Sequence, residues 1–262
     1  MAEYQSLTWE LDDHVATVTL DRPQKKNAMT WTMFNEIRDV FERASSDDAV
    51  RCLVVTGAGD AFCSGADLSD PANLVDSVFA FKERMRTIHG IVSAVVHCTV
   101  PTIAKVTGIA AGAGCNLAFC CDLVVATRDA AFAELFVKRG LVVDFGGSWA
   151  LSRLLPLNRA KELALLGETL SATEAERWGL VNRLCDATEV DQVVKDLASR
   201  LVALPPQTAA MIKENLNRAA ERSVEQNLDA ESLTQSLAFA SDDTREALMA
   251  FVEKREPRFT GR

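Results

Sequence analysis

Val106-Thr107-Gly108-Ile109-Ala110-Ala111-Gly112-Ala113-Gly114-Cys115-Asn116-Leu117-Ala118-Phe119-Cys120-Cys121-Asp122 is the stretch around which the chain is organised. Thr102 to Val106 reads as a short buried strand and Leu117 to Cys121 as an apolar helix, with small residues and Gly108, Gly112 and Gly114 between them. Glycine in such a turn lets a second backbone, or a ligand, approach closely. The first turn of the following helix carries amide N–H groups with no helical partner, a ready place for negative charge. Two familiar nucleotide motifs do not fit. Leu117 stands where a dinucleotide fingerprint needs its third glycine, and no Gly-Lys-Ser/Thr follows for a phosphate loop. Two readings stay open on these residues alone: a tight strand-to-helix turn packed on a neighbour, or backbone amides placed near an anion or oxyanion.

A second stretch has the same character. Gly57-Ala58-Gly59-Asp60-Ala61-Phe62-Cys63-Ser64-Gly65-Ala66-Asp67-Leu68 follows the apolar run Cys52 to Thr56, again a strand entering a small-residue turn. Two strand-end turns can each offer one N–H to a single carbonyl oxygen. Here the chain resembles the enoyl-CoA hydratase/isomerase (crotonase) superfamily. The resemblance rests on Ala61 to Leu68, on the glycine stretch above, and on Gly140-Leu141-Val142-Val143-Asp144-Phe145-Gly146-Gly147-Ser148. Ser171-Ala172-Thr173-Glu174-Ala175 with Gly179-Leu180-Val181, and Phe251-Val252-Glu253-Lys254-Arg255, continue it in the family's order over nearly the whole length. Its motifs stand nearest to the ring-epoxide phenylacetyl-CoA isomerase-like members. The fold implied is α/β, a repeated ββα spiral core over 1–188 holding the acyl-CoA site, followed by a C-terminal helical oligomerisation region over 189–262.

Composition narrows the partners. The 262 residues are 48% hydrophobic and 25% charged, as in an ordinary globular protein. A net charge of −9 argues against nucleic acid and against an anionic membrane surface, and it would repel CoA unless local Lys and Arg offset it. No apolar run reaches membrane-spanning length and no basic-then-apolar leader opens the sequence, so a cytoplasmic location is expected. The odd count of seven cysteines lies within apolar runs without a nearby histidine. Buried free thiols, and no metal site, are the expectation.

Along the chain, Val15 to Leu20 alternates as a strand should, and Asp21 to Ala28 breaks the pattern as a basic loop. Thr30 to Ala44 carries Met33, Phe34, Ile37, Val40 and Phe41 on one helical face. Leu68 to Val96 places Val75, Val78, Phe79, Phe81, Met85, Ile88 and Val92 mostly at helical spacing, with no evident partner for His89 or His97. Ala131 to Lys138 is mixed. Ser148 opens a helix, Ser171 with Glu174 reads as a capping box, and Gly179 as its stop. Alternating strands and helices run to about Asn182, and only helices follow Glu189.

The resemblance implies an enzyme that stabilises the enolate oxygen of an acyl-CoA thioester with two backbone N–H groups, here those of Ala66 and Ala113, each worth about 3 kcal/mol. It also implies that CoA and acyl chain are met by Lys25, Lys26, Ala28, Ala66, Asp67, Leu68, Gly112 and Phe136. Phe251 and Lys254 would reach the adenine end from a neighbouring subunit of a trimer or dimer of trimers. CoA enters as part of the substrate, and no further cofactor is expected. Hydratases of the family use two glutamates whose positions are Asn116 and Phe136 here, and neither side chain transfers a proton at neutral pH. Isomerases of the family carry an aspartate at the position of Asp144, the favoured acid/base, whose flanking Val142, Val143 and Phe145 would desolvate it. Glu134 is a second candidate, on the same side as Phe136 if both lie on a strand. Isomerisation is the favoured reaction, water addition the alternative, and a non-catalytic acyl-CoA binder the third.

Overall fold

Val15–Leu20 (β2) buries Ala16, Val18 and Leu20, the inward residues of its alternating pattern. It pairs antiparallel with Leu7–Asp12 (β1) across a turn in which Asp13 and His14 have φ of 43 and 65°. The computed structural model describes residues 4–73 and 77–261. Next come Trp31–Ser46 (α1), whose N-cap Thr30 accepts from the Met33 amide, and Cys52–Gly57 (β3), apolar on both faces because it is covered on both.

From β3 onward the chain repeats one unit. A long strand in a first sheet is followed by a three-residue strand in a second, and then by a helix. The units are β3 with Ala61–Cys63 (β4) and Val78–Val96 (α2), then Thr102–Val106 (β5) with Ile109–Ala111 (β6) and Ala113–Cys120 (α3). The third is Leu123–Thr127 (β7) with Ala131–Ala133 (β8), followed by Gly147–Leu154 (α4) and Leu157–Leu166 (α5). Thr169–Ser171 (β9), Ala172–Trp178 (α6) and Arg183–Cys185 (β10) close the sheets. The first sheet runs β1-β2-β3-β5-β7-β10, parallel except for β1, and the second β4-β6-β8-β9, parallel except for β9. This is the ββα spiral that the motifs imply. Its large core joins β1–β8 to α1, α2 and α3 through Phe41, Phe62, Ile91, Leu117 and Phe132. Val190–Val202 (α7) sets Val190, Val194 and Ala198 against Cys52, Val54, Ile103 and Val125 on the other face.

Several elements depart from the sequence reading. The helix after the glycine stretch begins at Ala113, not at Leu117, because Gly112 caps it and the small residues already lie in its first turn. The second sheet's strands are too short to show periodicity. Ser171 does accept from the Glu174 amide, but the Glu174 carboxylate faces the Ser171 hydroxyl instead of the N-cap amide, so the box is half made. Ser77 caps α2, and only Ile88, Ile91, Val95 and Val96 of that helix are buried. Val78 and Phe79 are each 83% exposed, so helical spacing continues there past the end of the core, and Val75 lies outside the described residues.

Pro206–Arg218 (α8), Val224–Phe239 (α9) and Asp242–Glu253 (α10) finish the chain, contributing only Ala238, Asp243 and Ala250 to the interior. Asp243 is nearly buried and accepts from the amides of Thr260 and Gly261, fastening the tail. Among the described residues no helix is long and apolar enough to cross a membrane. All seven cysteines are free and buried. Burial pushes the Cys52, Cys63 and Cys120 thiols up to about 12. No group of three or more His, Cys, Asp or Glu among the described residues is placed to hold a metal ion.

Candidate active site

The two small-residue turns meet backbone to backbone. Gly65 has φ of 95°, and a methyl group there would stand 2.8 Å from the Ala111 carbonyl oxygen and 3.5 Å from the Ala113 nitrogen. Only glycine fits that approach and that dihedral. Ala66 forms a parallel bridge with Met29: the Met29 amide donates to Gly65 O at 2.8 Å, and the Asp67 amide donates to Met29 O at 2.9 Å. Alternation along an extended segment turns the Ala66 N–H to the opposite side, away from Met29. Ala113 is the first residue of α3, so its N–H has no partner within the helix. Two amides from different strand ends thus lie side by side without partners among the described residues.

The basic loop is clamped beside them. Asn27 is fully buried, and its Nδ2 donates to the carbonyls of Ala58 and Ala61 at 2.9 and 2.7 Å. Ser64 donates its amide to Lys26 O and its hydroxyl to Lys25 O, which carries the loop along Cys63–Gly65. Lys25 and Lys26 are exposed and without acidic partners among the described residues, whereas Ala28 is buried. Arg22 pairs with Asp67 at 3.0 Å and donates to Ala28 O. The Ser69 hydroxyl is the chief influence holding the Asp67 carboxyl below its ordinary value, with Arg22 adding to it. The Asp67 side chain therefore ties the two loops together. Leu68 is 63% exposed at the rim.

Asp144 arrives from the other side. Phe145 is buried against Phe34, ring centres 5.8 Å apart, and anchors the 140–147 loop with φ of 49°. A left-handed conformation costs a residue with a Cβ roughly 1–2 kcal/mol. Val142 is 84% exposed, so it does not cover the carboxyl as the flanking residues suggested. Burial among the remaining neighbours still pushes Asp144 up to about 6, and His89 of α2 opposes that rise. One turn beyond His89, Val92 sits where a side chain on Gly146 would have to go. The sequence showed no partner for His89; only packing of α2 on this loop reveals it.

Asn116 is the joint between the two halves. It is fully buried, and its Nδ2 donates to the Asp144 carbonyl at 2.8 Å. The Gly147 amide reaches the same oxygen at 2.9 Å. A Cβ on Gly147 would lie 2.3 Å from Asn116 Nδ2, so the amide fits only across a glycine. Asn116 is three residues along α3 from Ala113, so the helix that carries the unpaired Ala113 amide also holds the Asp144 loop. Phe136 is buried, its ring within 4 Å of the position of a Gly112 Cβ. Glu134 is fully buried with Oε2 3.5 Å from Asn116 Nδ2. Glu134 and Phe136 do not share a strand face, because β8 ends at Ala133 and Phe136 opens the short helix 137–139 in helical conformation. Phe251 is 84% exposed on α10 and Lys254 caps that helix, neither gathered with the other site residues within the chain.

Over residues 10–262 the chain matches the family described as Enoyl-CoA hydratase/isomerase. The chain belongs to the enoyl-CoA hydratase/isomerase family. It is 37% identical to a 1,2-epoxyphenylacetyl-CoA isomerase of Escherichia coli, over 95% of each chain. It is 32% identical to a crotonyl-CoA hydratase of Syntrophomonas wolfei, over 98% of each. A solved enoyl-CoA hydratase from Mycobacterium smegmatis superposes with a TM-score of 0.91 at 34% identity, covering 97% of this chain and 98% of that one. As an enoyl-CoA hydratase/isomerase, the protein is an enzyme acting on acyl-CoA thioesters, a substrate class suited to paired N–H donors. The relatives' names include both isomerase and hydratase.

Proposed function

We propose that the protein isomerises an acyl-CoA, shifting a double bond or opening a strained ring, with Asp144 as the acid/base. The observation that carries this reading is the constitution of the site. Asn116 is committed to the Asp144 loop, Phe136 is a hydrocarbon and Glu134 is sealed from solvent, which leaves Asp144 as the partly exposed carboxyl poised near neutrality. Asp144 removes a proton near the thioester, and the charge moves onto the thioester oxygen. The Ala66 and Ala113 N–H groups stabilise that oxygen, and Asp144 returns the proton at another carbon. Lys25 and Lys26 meet the CoA phosphates, with Ala28, Leu68, Gly112 and Phe136 along the pantetheine and acyl path. No resident cofactor is needed.

Incubating the protein with a panel of acyl-CoAs and following products by mass spectrometry tests the reading. Isomerisation leaves the mass unchanged, and rapid gain of one water on a simple enoyl-CoA would replace it with hydration. Hydration is the second reading because a hydratase is among the relatives, though it needs one group to activate water and another to protonate the α-carbon.

The active form in this proposal is a trimer or a dimer of trimers. Leu216, Leu228, Leu233, Leu237, Phe239 and Phe251 on the last three helices are all more than half exposed. A monomer would present to water an apolar face that calls for a partner. A second copy covering it would bring Phe251 and Lys254 to the adenine end of CoA. Sedimentation is expected to give three or six chain masses, and a stable, fully active monomer would remove this part of the proposal.

A further inference from the structure

Glu134 has no place in the mechanism above, yet it is a carboxyl with no solvent exposure, directly beneath the site. It follows β8, whose last residue accepts the Gly112 amide at 2.8 Å, so it lies at the foot of the turn carrying Ala113. Its Oε1 is buried without a hydrogen-bond partner, Oε2 has the long 3.5 Å approach to Asn116 Nδ2, and the buried Cys115 thiol also bonds the carboxyl. That nitrogen is already engaged at 2.8 Å with the Asp144 carbonyl, a bond that fixes which end of the amide is nitrogen. The Asn116 Oδ1 is consequently an acceptor, also buried and also unpartnered. Two orphaned oxygens in one dry pocket are each left with an uncompensated loss of water. One proton resolves both.

We propose that Glu134 is a positioning residue, kept as a neutral acid that donates to Asn116 Oδ1 and so holds the Asn116 amide with its nitrogen on the Asp144 loop. The inference rests on Asp144 being the base. The electrostatics agree: burial first, and the neighbouring Asp144 charge in addition, push Glu134 up to about 7, against smaller opposing effects of Cys115 and Asn116. The titratable groups facing Glu134 are Cys115 and Cys120 from α3 and Asp144 from the loop, with His89 facing Asp144 from α2. None is a cation adjacent to Glu134 that would favour its ionised form. Ionised Asp144 keeps Glu134 protonated during the half-cycle in which Asp144 must act as base.

Infrared titration of the unliganded protein tests the protonation without turnover. A protonated carboxyl C=O band that disappears as pH rises through neutrality, and is missing in Glu134→Gln, is expected. A band unchanged by that substitution would overturn the proposal. Deuterium exchange at the α-carbon of phenylacetyl-CoA supplies the second readout. The wild-type rate is expected to fall above about pH 7. Glu134→Gln, also neutral and able to donate, should stay within about threefold of wild type at neutrality and lose that alkaline fall, whereas Glu134→Ala should drop about tenfold in kcat with little change in KM. An alkaline fall that persists in Glu134→Gln would equally overturn the role. Failure of the Asp144 reading appears separately, as undiminished exchange in Asp144→Asn.

Discussion

Asp144→Asn is expected to lose at least about 100-fold in rate on whichever acyl-CoA the wild type converts, the lower end of general acid–base contributions. Asparagine keeps the shape and the backbone carbonyl that Asn116 and Gly147 hold, so the loop and thioester binding should persist and KM should change little. In the wild type, activity should rise with pH through about 6 as the buried carboxyl ionises. The same substitution should stabilise the fold. A carboxyl raised from 3.8 to about 6 binds its proton more tightly when folded than when unfolded. That contribution is full below the unfolded value and is lost as pH rises through the folded one. At pH 7 the wild type has lost it, whereas the amide is uncharged at every pH and never bears the cost of burying a charge, a difference of about 1–3 kcal/mol in favour of Asp144→Asn. Kinetics with thermal melts at pH 5 and pH 7 check both halves. Full activity in a well-folded Asp144→Asn would refute the role of Asp144 and leave catalysis by another group, whose reaction the mass-spectrometric result would identify.

Ala113→Pro is expected to cost about 100-fold or more in kcat, the effect of deleting one oxyanion donor. The position makes this a clean deletion. Ala113 is the first residue of α3, where proline is well accommodated because no intrahelical bond uses that N–H. Gly112 before it has the freedom to meet proline's demands on its neighbour. The helix should survive, as circular dichroism and melting would confirm, while the amide facing the thioester oxygen is gone. A folded variant of undiminished activity would remove Ala113 from the proposed oxyanion pair.

Much of the fold was legible because its elements announce themselves. Thr102 to Val106 and Cys52 to Thr56 are largely buried on both faces, as parallel strands are, and the α1 stripe at Met33, Phe34, Ile37, Val40 and Phe41 is buried as its spacing implies. The three-residue strands of the second sheet fall below the length at which alternation can be seen, and α2 shows that apolar periodicity does not by itself say where a core ends. The candidate site divides the same way. The two small-residue turns could be picked out because close backbone approach leaves that signature, while Ala66 and Ala113 within them came from the family resemblance. What could not be read were roles set by long-range packing: His89 reaching Asp144's field from α2, Asn27 bracing the basic loop, and Asp67 turned toward Arg22. Asn116 was legible only as the absence of a glutamate. Its positive use depends on a loop that lies 28 residues downstream.

That use bears on how such enzymes exchange chemistries over evolutionary time. Placing a glutamate at 116 would be the obvious first step toward a two-glutamate site, but the present surroundings do not accommodate it alone. The extra methylene has no room, since the present side chain already fills the space over Gly147. The donor to Asp144 O would become an oxygen facing an oxygen, and a second carboxyl would enter the pocket of Glu134. A second acid at 116 therefore calls for compensating change in the 140–147 loop and at position 134, so that exchanging one chemistry for the other is a concerted replacement and not a point substitution.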